Sequence, residues 1–186
     1  MKSTLGMVSA FCAAVMFGAA LYAHAAETPR TVNDAAPANF VAVTERIHTS
    51  GQPTPAQLGT LKSKGYAFII NLATPASSGA IPEEGSLIAK TGISYLNIPV
   101  DFKNPTYDDF ELFSNILRQA GSRRVLVHCQ VNKRASVFAF LYRVVHERVA
   151  PDEAWKNVSS IWEPEPQWNS FVRLVLKRHN IAFDPF

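Results

Sequence analysis

Cysteine is scarce in this chain: among 186 residues there are two, Cys12 and Cys129. Cys12 lies in an apolar N-terminal run with the features of a secretory signal, because Lys2 precedes it and the small-residue pattern Ala-His-Ala follows at residues 23–25. We therefore predict a cleaved signal peptide over residues 1–25 and a periplasmic or secreted location. The mature chain would keep one cysteine, which excludes an internal disulfide.

Basic blocks, metal-ligand spacings and glycine-rich nucleotide loops are missing as well. The net charge is +3, or +2 once Lys2 leaves with the signal, and no cluster of Lys and Arg marks a nucleic-acid surface. One cysteine and scattered histidines give no metal site, and no glycine pattern typical of nucleotide binding occurs. We therefore expect no cofactor, no metal, no nucleic-acid partner and no stable membrane span after processing.

The mature chain would have 161 residues, enough for one domain. Residues 26–39 are rich in Ala, Pro, Thr and Asn and are predicted to be a linker, which leaves residues 40–186 for the domain. Apolar runs there alternate with helical patterns, which predicts an α/β fold with a mostly parallel sheet of about four to five strands, flanked by helices. Strands are expected near 40–49, 66–72, 93–100 and from 125, and helices near 54–65, 82–90, 106–121, 134–149, 151–161 and 167–179.

The most informative segment is residues 125–136, Val-Leu-Val-His-Cys-Gln-Val-Asn-Lys-Arg-Ala-Ser. An apolar strand ends at a His-Cys pair, and a helical pattern begins at Arg134. Cys129 is thereby placed at a helix N-terminus beside a guanidinium, where a thiolate and a bound oxyanion are both stabilised. Arg134 can hold two oxygens of one anion, and Ser136 can donate a hydrogen bond to the sulfur. His128 either orders the loop through its ring nitrogens or is a core histidine.

The turn from this strand into the helix also presents several backbone N–H groups, an arrangement that cradles a tetrahedral anion. We therefore expect the residues around the cysteine and the arginine to bind substrate. This predicted binding set is His128, Gln130, Val131, Asn132, Lys133 and Ala135.

Between the apolar strand and the helix stands a His-Cys pair, followed by four residues and then by Arg, Ala and Ser. This pattern resembles that of the cysteine-dependent phosphatases. In particular the chain resembles the bacterial group related to dual-specificity and tyrosine phosphatases, and the resemblance extends in order to residues 47–54, 68–72 and 95–101. The resemblance implies that Cys129 attacks phosphorus and that Arg134 binds the phosphoryl oxygens. An aspartate on a separate loop, here Asp101, would protonate the leaving oxygen.

Asp101 follows the predicted strand over 93–100. We expect that strand to lie beside the strand that ends at Cys129, so that both loops open on the carboxyl edge where such sheets bind ligands. A general acid must reach the leaving oxygen while it is protonated. Asp108 and Asp109 are weaker candidates, because both lie in the first turn of a helix, where acidic residues are expected in any case.

The loop departs from the usual phosphatase form, which has five residues between the cysteine and the arginine. The shorter spacing here resembles that of the bacterial group. No glycine is present in the loop, and Asn132 takes the place where glycine often provides a positive φ, a region that asparagine tolerates well. Ala73 stands where many relatives carry arginine, which removes a second contact to an anion.

Three functions stay open at this point. The first is hydrolysis of a phosphate monoester, on a small molecule or a protein, through a cysteinyl-phosphate. The second is sulfur transfer of the rhodanese type with a persulfide on Cys129, because smaller loops suit sulfur and larger loops suit phosphate. The third is a non-catalytic module that binds an anion or a protein.

Overall fold

The fold is built on a sheet of five strands in the order β1-β2-β5-β3-β4. The structure is a computed structural model that describes Met1 and residues 35–186. Every neighbouring pair of strands is parallel except β1 and β2, which are antiparallel. The strands are β1 (Val41–Ala42), β2 (Ile47–Ser50), β3 (Tyr66–Asn71), β4 (Ser94–Asn97) and β5 (Arg124–His128). The predicted α/β class with a mostly parallel sheet is confirmed.

Within residues 35–186, six helices cover the two faces of this sheet. Both faces are apolar because side chains alternate along the strands. Leu126 of β5 packs on one side with residues of the first two helices, whereas Val125 and Val127 pack on the other side with residues of the last four. The helices are α1 (Pro55–Thr60), α2 (Glu84–Ala89), α3 (Tyr107–Gln119), α4 (Lys133–His146), α5 (Pro151–Ser159) and α6 (Pro166–Arg178). Within the described residues, no helix is long and apolar enough to cross a bilayer.

Two helix starts follow directly from the local sequence. Thr54 and Gln57 form a capping box at α1, in which each side chain bonds the other residue's backbone N–H. Thr106 and Asp109 do the same at α3. A threonine followed three residues later by Gln or Asp, ahead of an apolar helical pattern, predicts such a helix start.

One expectation about the topology is wrong. The strand before Asp101, β4, does not lie beside β5, because β3 lies between them. The chain after β4 nevertheless returns over the end of β3, where the Ile98 N–H donates to the Asn71 carbonyl at 2.8 Å. The Asp101 loop therefore reaches the carboxyl end of β5 across one intervening strand.

The predicted signal peptide lies outside the described residues apart from Met1, and so do residues 26–34 of the predicted linker; these boundaries stay predictions. The described end of that linker, residues 35–39, makes specific contacts with the domain. The Ala35 carbonyl accepts from Gln57 Nε2 at 3.0 Å, and the Ala38 carbonyl accepts from the Gly51 N–H at 2.7 Å. Residues 35–39 therefore fold onto the sheet.

The buried face of α3 gives a direct test of the core. Leu117 is fully buried, whereas Leu112 on the same helix is 50% exposed. We expect Leu117→Ala to lower the free energy of unfolding by about 2–5 kcal/mol, and Leu112→Ala to change it by less than about 1 kcal/mol. Denaturant unfolding of the two variants measures both values, and equal losses would contradict this assignment of the core face.

Candidate functional site

A cavity of about 400 Å³ opens at the carboxyl edge of the sheet, where the loops after β3, β4 and β5 meet. Cys129, Arg134 and Asp101, which the sequence predicted to act together, all line it. The remaining lining residues are Thr74, Ala76, Ser77, Phe102, Lys103, Gln130, Val131 and Lys133.

Cys129 lies at the floor of this cavity, immediately after β5. It is a free cysteine with 1% of its surface exposed. Its backbone N–H donates to the Ser50 carbonyl at 3.2 Å, which continues the pairing of β5 with β2 beyond the last strand residue. The first N–H groups of α4 follow directly and have no partner within their helix. The thiol is therefore held on rigid backbone beside unpaired donors.

Arg134 is buried and fixed by the ends of two strands. Its Nη1 donates to the Leu72 carbonyl at 3.1 Å and to the Val100 carbonyl at 3.0 Å. Its Nη2 donates to Ser77 Oγ at 3.0 Å. Three of the five guanidinium N–H groups are thus used, and those that remain are Nε–H and one hydrogen on Nη2. Adjacent donors of this kind can hold two oxygens of one anion.

Asp101 is exposed at the cavity mouth, and the backbone is anchored on both sides of it. The Val100 carbonyl accepts from Arg134, and the Phe102 carbonyl accepts from Trp168 Nε1 at 3.0 Å. The Asp101 carboxylate accepts the Lys103 N–H at 2.9 Å. The acid therefore lines the same cavity as the thiol, on a loop whose backbone is anchored on both sides.

Aromatic side chains support the rim on this side. The Lys133 ammonium lies 4.8 Å from the ring centre of Trp162 and 5.8 Å from that of Phe102. Phe102 also packs on Trp168, which is fully buried in the core. The Lys133 ammonium therefore lies between these rings and Glu165, with its Nζ 3.9 Å from Glu165 Oε1.

The loop between Cys129 and Arg134 is held from outside by the start of the described chain. Asn132 adopts φ 70°, which confirms the prediction that it supplies a positive φ without glycine. Its Nδ2 donates to the Asn39 carbonyl at 2.6 Å and to Thr49 Oγ1 at 3.1 Å. Asn39 Nδ2 in return donates to the Val131 carbonyl at 3.1 Å.

Half of the predicted binding set does not line the cavity. Gln130, Val131 and Lys133 do, but the side chains of His128, Asn132 and Ala135 do not. His128 precedes Cys129 by one residue on a strand and so faces the opposite side of the sheet. The side chain of Asn132 is turned to Asn39, and Ala135 is packed in the core.

Ser136 also needs a correction. Its hydroxyl donates to the Lys133 carbonyl one turn earlier, at 3.0 Å, rather than to the sulfur of Cys129. Serine hydroxyls in helices commonly form this bond to a preceding carbonyl. The site as described therefore has no hydrogen bond from Ser136 to the thiol.

Sequence reasoning missed the residues that the β3 loop contributes. Ser77 holds Arg134, and Thr74 Oγ1 lies 3.2 Å from Ser77 Oγ. The available signal was positional, because a loop that follows a parallel strand opens on the same edge as the other site loops. In the described part of the chain, no three His, Cys, Asp or Glu side chains come together in a way that could hold a metal ion.

The fold and this site define a phosphatase-like protein. A crystal structure of the "Putative phosphatase (DUF442)" of Shewanella putrefaciens CN-32 is 30% identical in sequence and aligns with a TM-score of 0.71 over 77% of this chain and 94% of its own. The chain belongs to this bacterial DUF442 family, which shares its fold with the dual-specificity and tyrosine phosphatases.

More distant structures agree on the fold. The phosphatase PTPMT1 in complex with PI(5)P has a TM-score of 0.64 at 15% identity, over 76% of this chain and 96% of its own.

The "Beta-lactamase hydrolase-like protein" of Xylella fastidiosa strain Temecula1 is 32% identical over 118 residues. That match covers 61% of this chain, which spans only 27% of the length of that relative. No family model matches the chain.

Gly51 allows the loop to close against β2. A Cβ added at Gly51 would lie 3.0 Å from the Gln130 carbonyl oxygen and 3.1 Å from that of Ala38. Both are backbone atoms, so we expect Gly51→Ala to lower the free energy of unfolding by about 1–3 kcal/mol. At Gly59 in α1 a Cβ meets nothing within 4 Å, so Gly59→Ala should be neutral or stabilising by up to about 1 kcal/mol. Denaturant unfolding compares the two, and an equally tolerated Gly51→Ala would show that the loop does not depend on this contact.

Proposed function

We propose that this protein hydrolyses phosphate monoesters through a cysteinyl-phosphate on Cys129. The observation that carries the proposal is the shared cavity of Cys129, Arg134 and Asp101, in which the arginine keeps two adjacent N–H donors free of protein partners. Family membership and fold support the same reaction class. The substrate would be a phosphorylated small molecule or protein.

The first step is attack of the Cys129 thiolate on phosphorus. The S–P bond forms as the bond from phosphorus to the ester oxygen breaks, and Asp101 gives its proton to that leaving oxygen. Arg134 and the N–H groups at the start of α4 hold the phosphoryl oxygens, where negative charge accumulates.

The second step releases phosphate. Asp101, now a carboxylate, takes a proton from water as the water oxygen attacks phosphorus, and the S–P bond breaks with its electron pair returning to sulfur. Each residue ends in the state in which it began.

Turnover of a phosphomonoester such as para-nitrophenyl phosphate tests this mechanism. We expect Cys129→Ser to bring turnover to the uncatalysed background, and Asp101→Asn to lower kcat by about 10²–10⁴-fold, since the acid is lost. Asp108→Asn is the matched control, because Asp108 is an exposed acid outside the cavity. Wild-type turnover in Cys129→Ser would contradict the proposal. An equal loss of kcat in Asp101→Asn and Asp108→Asn would contradict it as well.

Sulfur transfer of the rhodanese type is the second candidate, and the four-residue spacing from Cys129 to Arg134 favours it. Labelled phosphate trapped on Cys129 after mixing with substrate and acid quenching supports hydrolysis. A cyanide-labile persulfide on Cys129 after incubation with thiosulfate supports sulfur transfer. If neither species forms, the third alternative applies, a module that binds an anion or a protein without chemistry.

We also propose that the chain is exported, on the strength of its N-terminal signal features alone. Expression of the full chain in a bacterium, with isolation of the periplasmic fraction and N-terminal sequencing, should give Ala26 as the first residue. Recovery of uncleaved protein in the cytoplasm would contradict this proposal.

A further inference from the structure

Two carbonyl groups of the site loop, residues 130–133, are bound from outside the cavity. The Gln130 carbonyl accepts the Gln52 N–H at 3.1 Å, and the Val131 carbonyl accepts from Asn39 Nδ2 at 3.1 Å. Neither donor belongs to a residue that lines the cavity. Because the carbonyl and the N–H of a trans peptide unit point in opposite directions, each bond also fixes the N–H that follows it in the loop. Those two N–H groups therefore face away from the outer donors.

The contact between Asn39 and the site loop runs in both directions. The Asn39 carbonyl accepts from Asn132 Nδ2 at 2.6 Å, and the same amide donates to Thr49 Oγ1 at 3.1 Å. Asn132 is fully buried, so water does not replace these bonds when they are lost. The conformation of the site loop thus depends on Asn39, the last residue of the predicted linker.

The backbone on either side of this contact is paired as well. The Gly51 N–H donates to the Ala38 carbonyl at 2.7 Å, and Gly51 faces Val131 in an isolated antiparallel bridge. A Cβ at Gly51 would lie 3.0 Å from the Gln130 carbonyl oxygen, so the three segments approach as closely as backbone allows. Residues 38 and 39 therefore form an outer strap that is packed directly on the site loop.

We propose that Asn39 is a positioning residue of the candidate site: by holding the Val131 carbonyl outward, it keeps a loop of four residues open for a tetrahedral oxyanion such as phosphate. A carbonyl turned inward would present the negative end of its dipole to the anion, whereas backbone N–H groups attract one. The inference rests on the proposed function only in requiring an anion at the loop, a requirement that a non-catalytic anion-binding module shares.

A purely structural role of Asn39 makes a different prediction. Asn39 adopts φ 51°, and glycine adopts a positive φ more readily than any other residue. If the turn alone mattered, Asn39→Gly would bind an anion as well as the wild-type protein does. If the side chain positions the loop, Asn39→Gly and Asn39→Asp both lower the affinity. The loss should be larger in Asn39→Asp, because its carboxylate would face the Val131 carbonyl.

Hydrogen–deuterium exchange followed by mass spectrometry tests the strap without any ligand. We expect Asn39→Asp to speed exchange in a peptide that covers residues 129–134 by about fivefold, because the loop opens locally. Asn180→Asp is the matched control: Asn180 is also exposed, has φ 55° and does not line the cavity. Unchanged exchange of the loop in Asn39→Asp, or the same increase in both variants, overturns the proposal.

The affinity for inorganic phosphate, measured by isothermal titration calorimetry, tests the consequence for the site. We expect the Kd to rise about tenfold in Asn39→Asp and about threefold in Asn39→Gly, the range expected when one orienting hydrogen bond is lost. Asn180→Asp should leave the Kd unchanged, and denaturant unfolding checks beforehand that all three variants are folded.

Wild-type affinity in Asn39→Gly overturns the proposal, and so does a wild-type protein that binds no phosphate. Neither measurement requires turnover of an ester. A protein that binds phosphate through this loop without hydrolysing esters would contradict the proposed function and leave the role of Asn39 in place. An active phosphatase whose phosphate affinity and loop exchange ignore Asn39 would do the reverse.

Discussion

The buried guanidinium of Arg134 is the constraint on which the rest of the site depends. Burying a cation is costly unless it meets hydrogen-bond acceptors, and here the acceptors are two carbonyls in the chain after β3 and after β4 together with Ser77 Oγ. The loops after both strands must therefore close over the start of α4. That closure forms the cavity that Asp101 and Cys129 both line.

The two faces of the sheet carry different side chains at the end of β5, the strand that leads to Cys129. Consecutive residues of a strand face opposite sides of a sheet, so Cys129 faces the cavity and His128 faces a buried polar cluster beneath α2. One side lines the cavity, and the other carries side chains that bond to the neighbouring loops, such as Asn71 to the Ala73 N–H.

Much of this could be predicted from sequence because it depends on local patterns. Apolar runs, caps at Thr54 and Thr106 and the spacing around Cys129 predicted the elements, and the resemblance pointed to Cys129, Arg134 and Asp101. What failed depends on contacts between distant residues. Strand order is not encoded in the periodicity of β4. Ser136 is a local exception, because its hydroxyl donates to the Lys133 carbonyl three residues earlier. Asn39 carried no signal, because its contact with the site loop arises only when distant parts of the chain pack together.

The pairing of Asn39 with Asn132 has a consequence for how the molecule is assembled in time. The two residues are 93 positions apart. During synthesis Asn39 leaves the ribosome long before Asn132, so this contact can form only after most of the domain has been made. Closing such long connections is slow compared with forming the helices. Residues 130–133 would then close late in folding, and partly folded chains would carry the helices and much of the sheet before that loop was in place.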